Sequence, residues 1–254
     1  MADKKLNCGT SQIDKNYYCL LMQRNINNQI KNNMKHMTKF LLFFCMFGYI
    51  TFAQAQEVVK DYDGNVYKTV KIGSQVWMAQ NLKTTHFQNG DPIPNVTDGM
   101  QWKDLIIGAY GSYDNIRANA DIYGHLYNWY AVNDSRNIAP SGWHIPTDAE
   151  WTTLTTYLGG KDIAGSKLKE TGTTYWLTPN AGATNESGFT ALPGGYREID
   201  GKFGDVGFKG FWWSSTELYT VLAWYRNVGY DYINVFRVGS NKSLGLSVRC
   251  VRNI

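Results

Sequence analysis

Val66, Lys68, Val70 and Ile72 alternate with Tyr67, Thr69 and Lys71, the period-two pattern of a strand with one largely apolar side. Asp63-Gly64 turns the chain into this run, and Gly73-Ser74 turns it out into Gln75-Val76-Trp77-Met78, so residues 66–78 predict a β-hairpin. The period changes at Pro146-Thr147-Asp148-Ala149-Glu150-Trp151. Thr147 with Glu150 three residues on is a capping box, and Asp148 adds favourable negative charge to the first turn. Trp151, Leu154 and Leu158 then share one face before Gly159-Gly160, which predicts a helix over 148–158. Residues 161–170 suit a second short helix weakened by Gly165. A short amphipathic helix is expected over 126–132, and one short strand near 109–113 in the Pro-, Asn- and Gly-rich stretch 83–121. Three strands close the chain, at 222–228, 232–238 and 244–251. The first two are joined by a turn at Gly229-Tyr230-Asp231. In the last, Leu244, Leu246, Val248 and Cys250 share a face opposite Ser247 and Arg249, pointing Cys250 inward as a small apolar group.

The N-terminal quarter follows another logic. Lys35 and Lys39 precede a thirteen-residue uncharged run, Phe40 to Phe52, and then Ala53-Gln54-Ala55. That is the charged start, apolar stretch and small-x-small site of a secretory signal peptide. The run is shorter than the ~20 apolar residues of a membrane-spanning helix. Cys45 lacks the small residues that precede a lipoprotein cysteine. The expectation is a signal peptide over 34–55, cleavage between Ala55 and Gln56, and a mature domain of residues 56–254, secreted, periplasmic or at the cell surface, with no transmembrane segment. Residues 1–33 are polar and asparagine-rich with no repeating apolar face. They read as unstructured or as an upstream start ahead of Met34 or Met37, with a long polar n-region as the alternative.

Removing residues 1–55 changes the charge picture. The whole chain has 25 basic and 21 acidic residues; the leader takes seven and two of these, leaving 18 against 19. No bulk positive charge remains to attract nucleic acid or anionic membrane. Cys8, Cys19 and Cys45 leave with the leader and Cys250 stays alone, so no intramolecular disulfide framework forms. All nine tryptophans stay. The remainder reads as one loop-rich α+β domain of short antiparallel strands with two short helices and long loops.

Its motifs are VKIGSQVWMAQNL (70–82), YGHLYNWYAV (123–132), APSGWHIPTDAEW (139–151), GATNESGFTALPGGYR (182–197), GFWWSST (210–216) and GLSVRCVR (245–252). In this order they resemble the Fibrobacter succinogenes major paralogous domain, found on exported proteins of Bacteroidetes- and Fibrobacter-type bacteria, with no activity attached. Gln80 stands where that family usually has an acidic residue. GWHIPTDAEW and the terminal GLSVRCV also look like the formylglycine-generating, sulfatase-modifying proteins. That likeness implies a C-type-lectin-like fold with the 66–72 strand beside the 244–251 strand, and carries no activity by itself. The enzymes of that group hold copper with two late cysteines. Here only Cys250 exists, so a degenerate enzyme of that type is the weakest of the readings.

Other chemistry finds little support. Asp61, Asp63 and Asn65 resemble the opening of a calcium loop, but glycine comes at the fourth position and Ile72 at the twelfth, which favours a plain turn. Calcium therefore has no motif behind it, and no cofactor is expected. His86, His125 and His144 lack metal-ligand spacing, and His144 is read as structural. Glu186 and Glu198 could pair as glycosidase carboxylates, as in any chain with so many acids. Recognition remains: a module binding glycan or a surface protein, or alternatively a structural component of the cell envelope. Trp77, Trp129, Trp143 and Trp151 are read as core, and Trp212-Trp213 as facing opposite sides, one toward the core and the other toward a second layer or solvent. Arg197 and Arg226 are read as buried ion-pair members. Tyr175, Trp176, Tyr230, Asp231 and Tyr232 are the candidate ligand-binding residues, with rings to stack and a carboxylate to accept hydroxyl hydrogen bonds.

Overall fold

The computed structural model describes residues 12–47 and 57–253, with side chains in the first stretch described from 20 to 37. The chain divides into two units, residues 1–55 and 56–254. In the first, α1 (Gln12–Phe47) is one continuous helix whose described side chains are all exposed. Helix thus replaces the unstructured segment expected over most of 1–33, but it is a helix of local hydrogen bonds with no buried face among those residues. No helix among the described residues is long and apolar enough to cross a membrane. The expected cleavage site, Ala55 and Gln56, lies outside the described residues.

The second unit is mixed α+β, with curled, mainly antiparallel sheets and few helices. Its elements run β1 (Val58–Lys60), β2 (Val66–Ile72), β3 (Gln75–Met78), α2 (Gly99–Lys103), β4 (Tyr110–Gly111), a 3-10 turn (Tyr113–Asn115), α3 (Arg117–Tyr123), β5 (Leu126–Tyr127), α4 (Trp129–Val132), α5 (Asp148–Tyr157), α6 (Lys161–Leu168), β6 (Gly194–Arg197), β7 (Phe203–Val206), β8 (Lys209–Tyr219), β9 (Leu222–Gly229), β10 (Phe236–Asn241) and β11 (Val251–Asn253). One sheet has the order β1-β2-β3-β11, a second β10-β9-β8-β6-β7, and β4 pairs with β5.

The expected hairpin is β2–β3, with Ile72 opposite Gln75. The capped helix is α5: Thr147 Oγ1 accepts from the Glu150 N–H, and Glu150 accepts from the Thr147 N–H at 2.9 Å. α6 tolerates Gly165 because the 233–234 backbone lies against it; a Cβ there would come within 2.4 Å of the Asn234 carbonyl oxygen.

Four expectations need correction. Residues 126–132 are not one helix. Asn128 divides β5 from α4, its side-chain oxygen accepting from the N–H groups of Ala109 and Ala131, both at 3.0 Å. The strand expected at 232–238 begins only at Phe236, since the preceding backbone bonds elsewhere: Tyr230 N–H to Phe208 and Val235 N–H to Lys161. The third strand, 244–251, is mostly extended chain outside any ladder. Its groups bond in succession to Arg197, Tyr127, Trp213, Leu82 and Met78, so both its faces are buried, Ser247 and Arg249 included. β3, not β2, lies beside the terminal strand β11.

Two apolar clusters fill the unit. Val76, Met78, Trp129, Trp143, Trp213 and Cys250 belong to one; Trp77, Trp151, Trp176 and Trp212 belong to the other. Trp212 and Trp213 do face opposite ways, but both are buried and neither reaches solvent.

Candidate functional site

The turn after β1 is tied by Asp61, which accepts from the Asn65 N–H at 2.9 Å and the Tyr67 hydroxyl at 2.6 Å. That leaves Asp63 aimed at the loop after β3, where it accepts from Thr85 N–H, Thr85 Oγ1, Thr84 Oγ1 and His86 Nδ1. Facing this wall is the 95–97 segment, held from below by buried Arg197. Its guanidinium donates to the carbonyls of Val96, Thr97 and Gly201 and lies 4.2 Å from the Trp102 ring centroid. Arg197 therefore bonds backbone carbonyls instead of the carboxylate expected. Between the walls is a cleft of about 550 Å³, closed at one side by α3 and floored by Tyr110, Ser112 and His125. At its rim Asp114 and Asn115 hold φ of 54° and 56°, a left-handed conformation uncommon outside glycine and concentrated at functional sites.

The cleft is polar and unevenly charged. Burial opposes ionisation of Asp63, but hydrogen bonds from the Thr85 backbone, His86 and the Thr85 hydroxyl hold its carboxyl below the ordinary carboxylate range. Asp121 pairs with Lys83 at 3.6 Å. The side chain of Arg117, exposed on α3 at the cleft, makes no hydrogen bond or ion pair among the described residues. His125 packs against Tyr110 with ring centroids 4.4 Å apart. Burial, then Lys83 and Arg117, lower its pKa to about 4, so the imidazole is neutral at neutral pH. Ser112 Oγ is 3.3 Å from His125 Nδ1, but so weak a base activates a hydroxyl poorly. Among the described residues no three His, Cys, Asp or Glu side chains converge as metal ligands. The arrangement is suited to holding a polar ligand by hydrogen bonds and charge.

The sequence profile of the Fibrobacter succinogenes major domain matches residues 70–252. The chain belongs to that family. No curated protein sequence matches it. The Fibrobacter succinogenes major domain thus includes the cleft residues Lys83, Tyr110, Arg117 and His125, while Asp63 is contributed from just ahead of the matched stretch.

In this member of the family none of the ligand-binding residues expected from sequence lines that cleft. Trp176 is 1% exposed and donates its indole N–H to Ala191 at 3.0 Å; it is core, contrary to its expected exposure. Tyr230 is half-buried against Phe208, Tyr175 is half-buried edge-on to Tyr123, and Tyr232 donates its hydroxyl to Asn227. Of the five, only Asp231 is exposed. What joins this group is Lys169, a residue the sequence did not single out. Its buried ammonium donates to the carbonyls of Ala181, Gly229 and Tyr232, each at 2.8 Å, and lies 5.7 Å from the Trp176 ring centroid. Burial lowers the Lys169 pKa to about 8, which leaves it cationic at neutral pH.

The remaining sequence-derived roles fall in the frame. Arg226 is an ion-pair member, 2.8 Å from Asp148. His144 lies 2.7 Å from Glu150 beside the capping box. Cys250 is fully buried, and burial pushes its thiol pKa up. Three signals for the cleft were visible: the Asp61/Asp63/Asn65 turn, His86 and His125. Their convergence was not, because it depends on β3 and β5 being brought together through Leu82, which accepts from the His125 N–H at 3.1 Å.

Proposed function

We propose that this chain is an exported, non-enzymatic binding module that recognises a glycan or another hydroxyl-rich surface ligand in the Asp63–Arg117–His125 cleft. The observation that carries the reading is a cavity of about 550 Å³ lined mostly by polar and charged side chains. Such a cleft offers amides, hydroxyls and charges at fixed positions, which is how polar ligands are oriented. The pairing of β11 with the N-terminal sheet supports a C-type-lectin-like architecture. No cofactor is part of this reading. Export rests on the charged start, the apolar run and the Ala53-Gln54-Ala55 site. N-terminal sequencing of protein recovered from periplasm or medium should begin at Gln56; retention of residues 40–52 would sink that step.

A glycan array probed with the full chain, with and without calcium, tests the binding role. Thr97 is exposed and lines the cleft, so Thr97→Trp should block it without disturbing the core. Binding that is independent of calcium and lost in Thr97→Trp supports the reading; binding that survives the substitution removes the cleft from it. A structural role in the envelope is the second reading, favoured by Tyr219 and Val221, 66% and 60% exposed at the β8–β9 tip. It predicts self-association that Tyr219→Ser with Val221→Ser abolishes.

A further inference from the structure

The charges of the cleft are not equally available. Asp63 is surrounded by four donors, and Asp121 has Lys83 as its counter-charge. Arg117 is the one cleft-lining charge with no protein partner among the described residues. A carboxylate-bearing ligand placed across the cleft would meet that guanidinium without displacing any existing bond. A cationic ligand would have to compete with His86 and the Thr85 N–H for Asp63.

We infer that the ligand is acidic, a uronic-acid glycan whose carboxylate pairs with Arg117 while its hydroxyls bond the cleft walls. This rests on the cleft being the binding site. Guanidinium and carboxylate match in a two-bond geometry that neither a hydroxyl nor an ester reproduces. His125 is consistent with it: burial first, and then Lys83 and Arg117, lower its pKa and keep the ring uncharged. The neutral imidazole can then face a sugar hydroxyl without adding a charge that must be desolvated.

The test is calorimetry on the full chain with oligogalacturonate, oligomannuronate and hyaluronan fragments, each paired with its methyl ester. A charge-assisted hydrogen bond of ordinary strength gives about tenfold or more in affinity. At least one acid should therefore bind about tenfold tighter than its ester. That preference should vanish in Arg117→Ala, return in part in Arg117→Lys, and shrink at high salt. Esters binding as tightly as their acids, no binding by any acid, or a preference that survives Arg117→Ala would each overturn the inference. The two readings fail separately. If acid and ester bind alike and Thr97→Trp blocks both, the cleft stands and its acidic ligand falls. If Thr97→Trp blocks neither, both fall.

Discussion

The Lys169 knot and the Asp63–Arg117 cleft both bring remote segments together around a cation, yet they end in opposite states. At the knot the ammonium has three carbonyl partners and the nearby Trp176 ring is buried. At the cleft the guanidinium has none and faces about 550 Å³ of open volume. The difference is one of remaining hydrogen-bonding capacity. A buried polar group must find its partners inside the protein, so the knot has little left for a ligand, whereas the cleft retains an unpaired charge. Aromatic content pointed toward the first region, and unpaired polar groups point to the second.

The largest effect that would break this contrast lies at Trp176. Removing a fully buried indole should cost about 3–5 kcal/mol, with binding at the cleft unchanged in whatever protein remains folded. Urea denaturation measures the first and calorimetry the second. A stable Trp176→Ala that has lost its ligand would restore the aromatic region as the site. Lys169→Met comes next. It keeps the apolar stem but leaves three carbonyls without their donor, a loss of about 3 kcal/mol. A midpoint within error of the parent would show that the knot is not formed.

What could be read ahead of the structure follows the range of the forces involved. The β2–β3 hairpin and the Thr147–Glu150 cap rest on residues within a few positions of one another, and both were legible. The 244–250 segment looked like an alternating strand because Leu244, Leu246, Val248 and Cys250 alternate. Its partners, from Met78 to Trp213, are remote in sequence, and they bury the alternate residues as well. Arg197 looked like an ion-pair residue, since burying a guanidinium ordinarily calls for an acid. Three backbone carbonyls supplied its partners instead, together with the Trp102 face. The cleft was least legible: its residues come from the turn after β1, the loop after β3, the 95–97 segment, β4 and α3, and only the fold brings them together.

A smaller effect, set by pH, separates the two regions again. The folded pKa of His125 is about 4 against an ordinary 6.5, so between those values the unfolded chain takes up the proton first. Its contribution to stability is complete above about pH 6.5 and falls as pH drops toward 4, by up to about 1.4 kcal/mol per unit. Asp63 and Glu150, both held below the carboxylate range, lose theirs only at lower pH. Urea midpoints at pH 7 and pH 5 should therefore differ in the parent and converge in His125→Gln. An unchanged pH slope in the variant would mean that His125 is hydrated, and that the cleft floor is wetter than its packing against Tyr110 indicates.

The smallest effect is the one the comparison depends on most. The Arg117 side chain is exposed and makes no hydrogen bond or ion pair among the described residues, so Arg117→Ala leaves no buried group unsatisfied. Substitutions of that kind usually stay within about 0.5 kcal/mol of the parent, and the urea midpoint should be unmoved. A stability loss comparable with that of Lys169→Met would show that Arg117 already has a partner inside the folded chain. The cleft would then be a second satisfied knot, and the distinction between a region that holds the fold and one held open for a ligand would disappear. Unchanged stability, set beside the large cost at Trp176, would place the chain's free interaction capacity where its structure leaves a charge unmet.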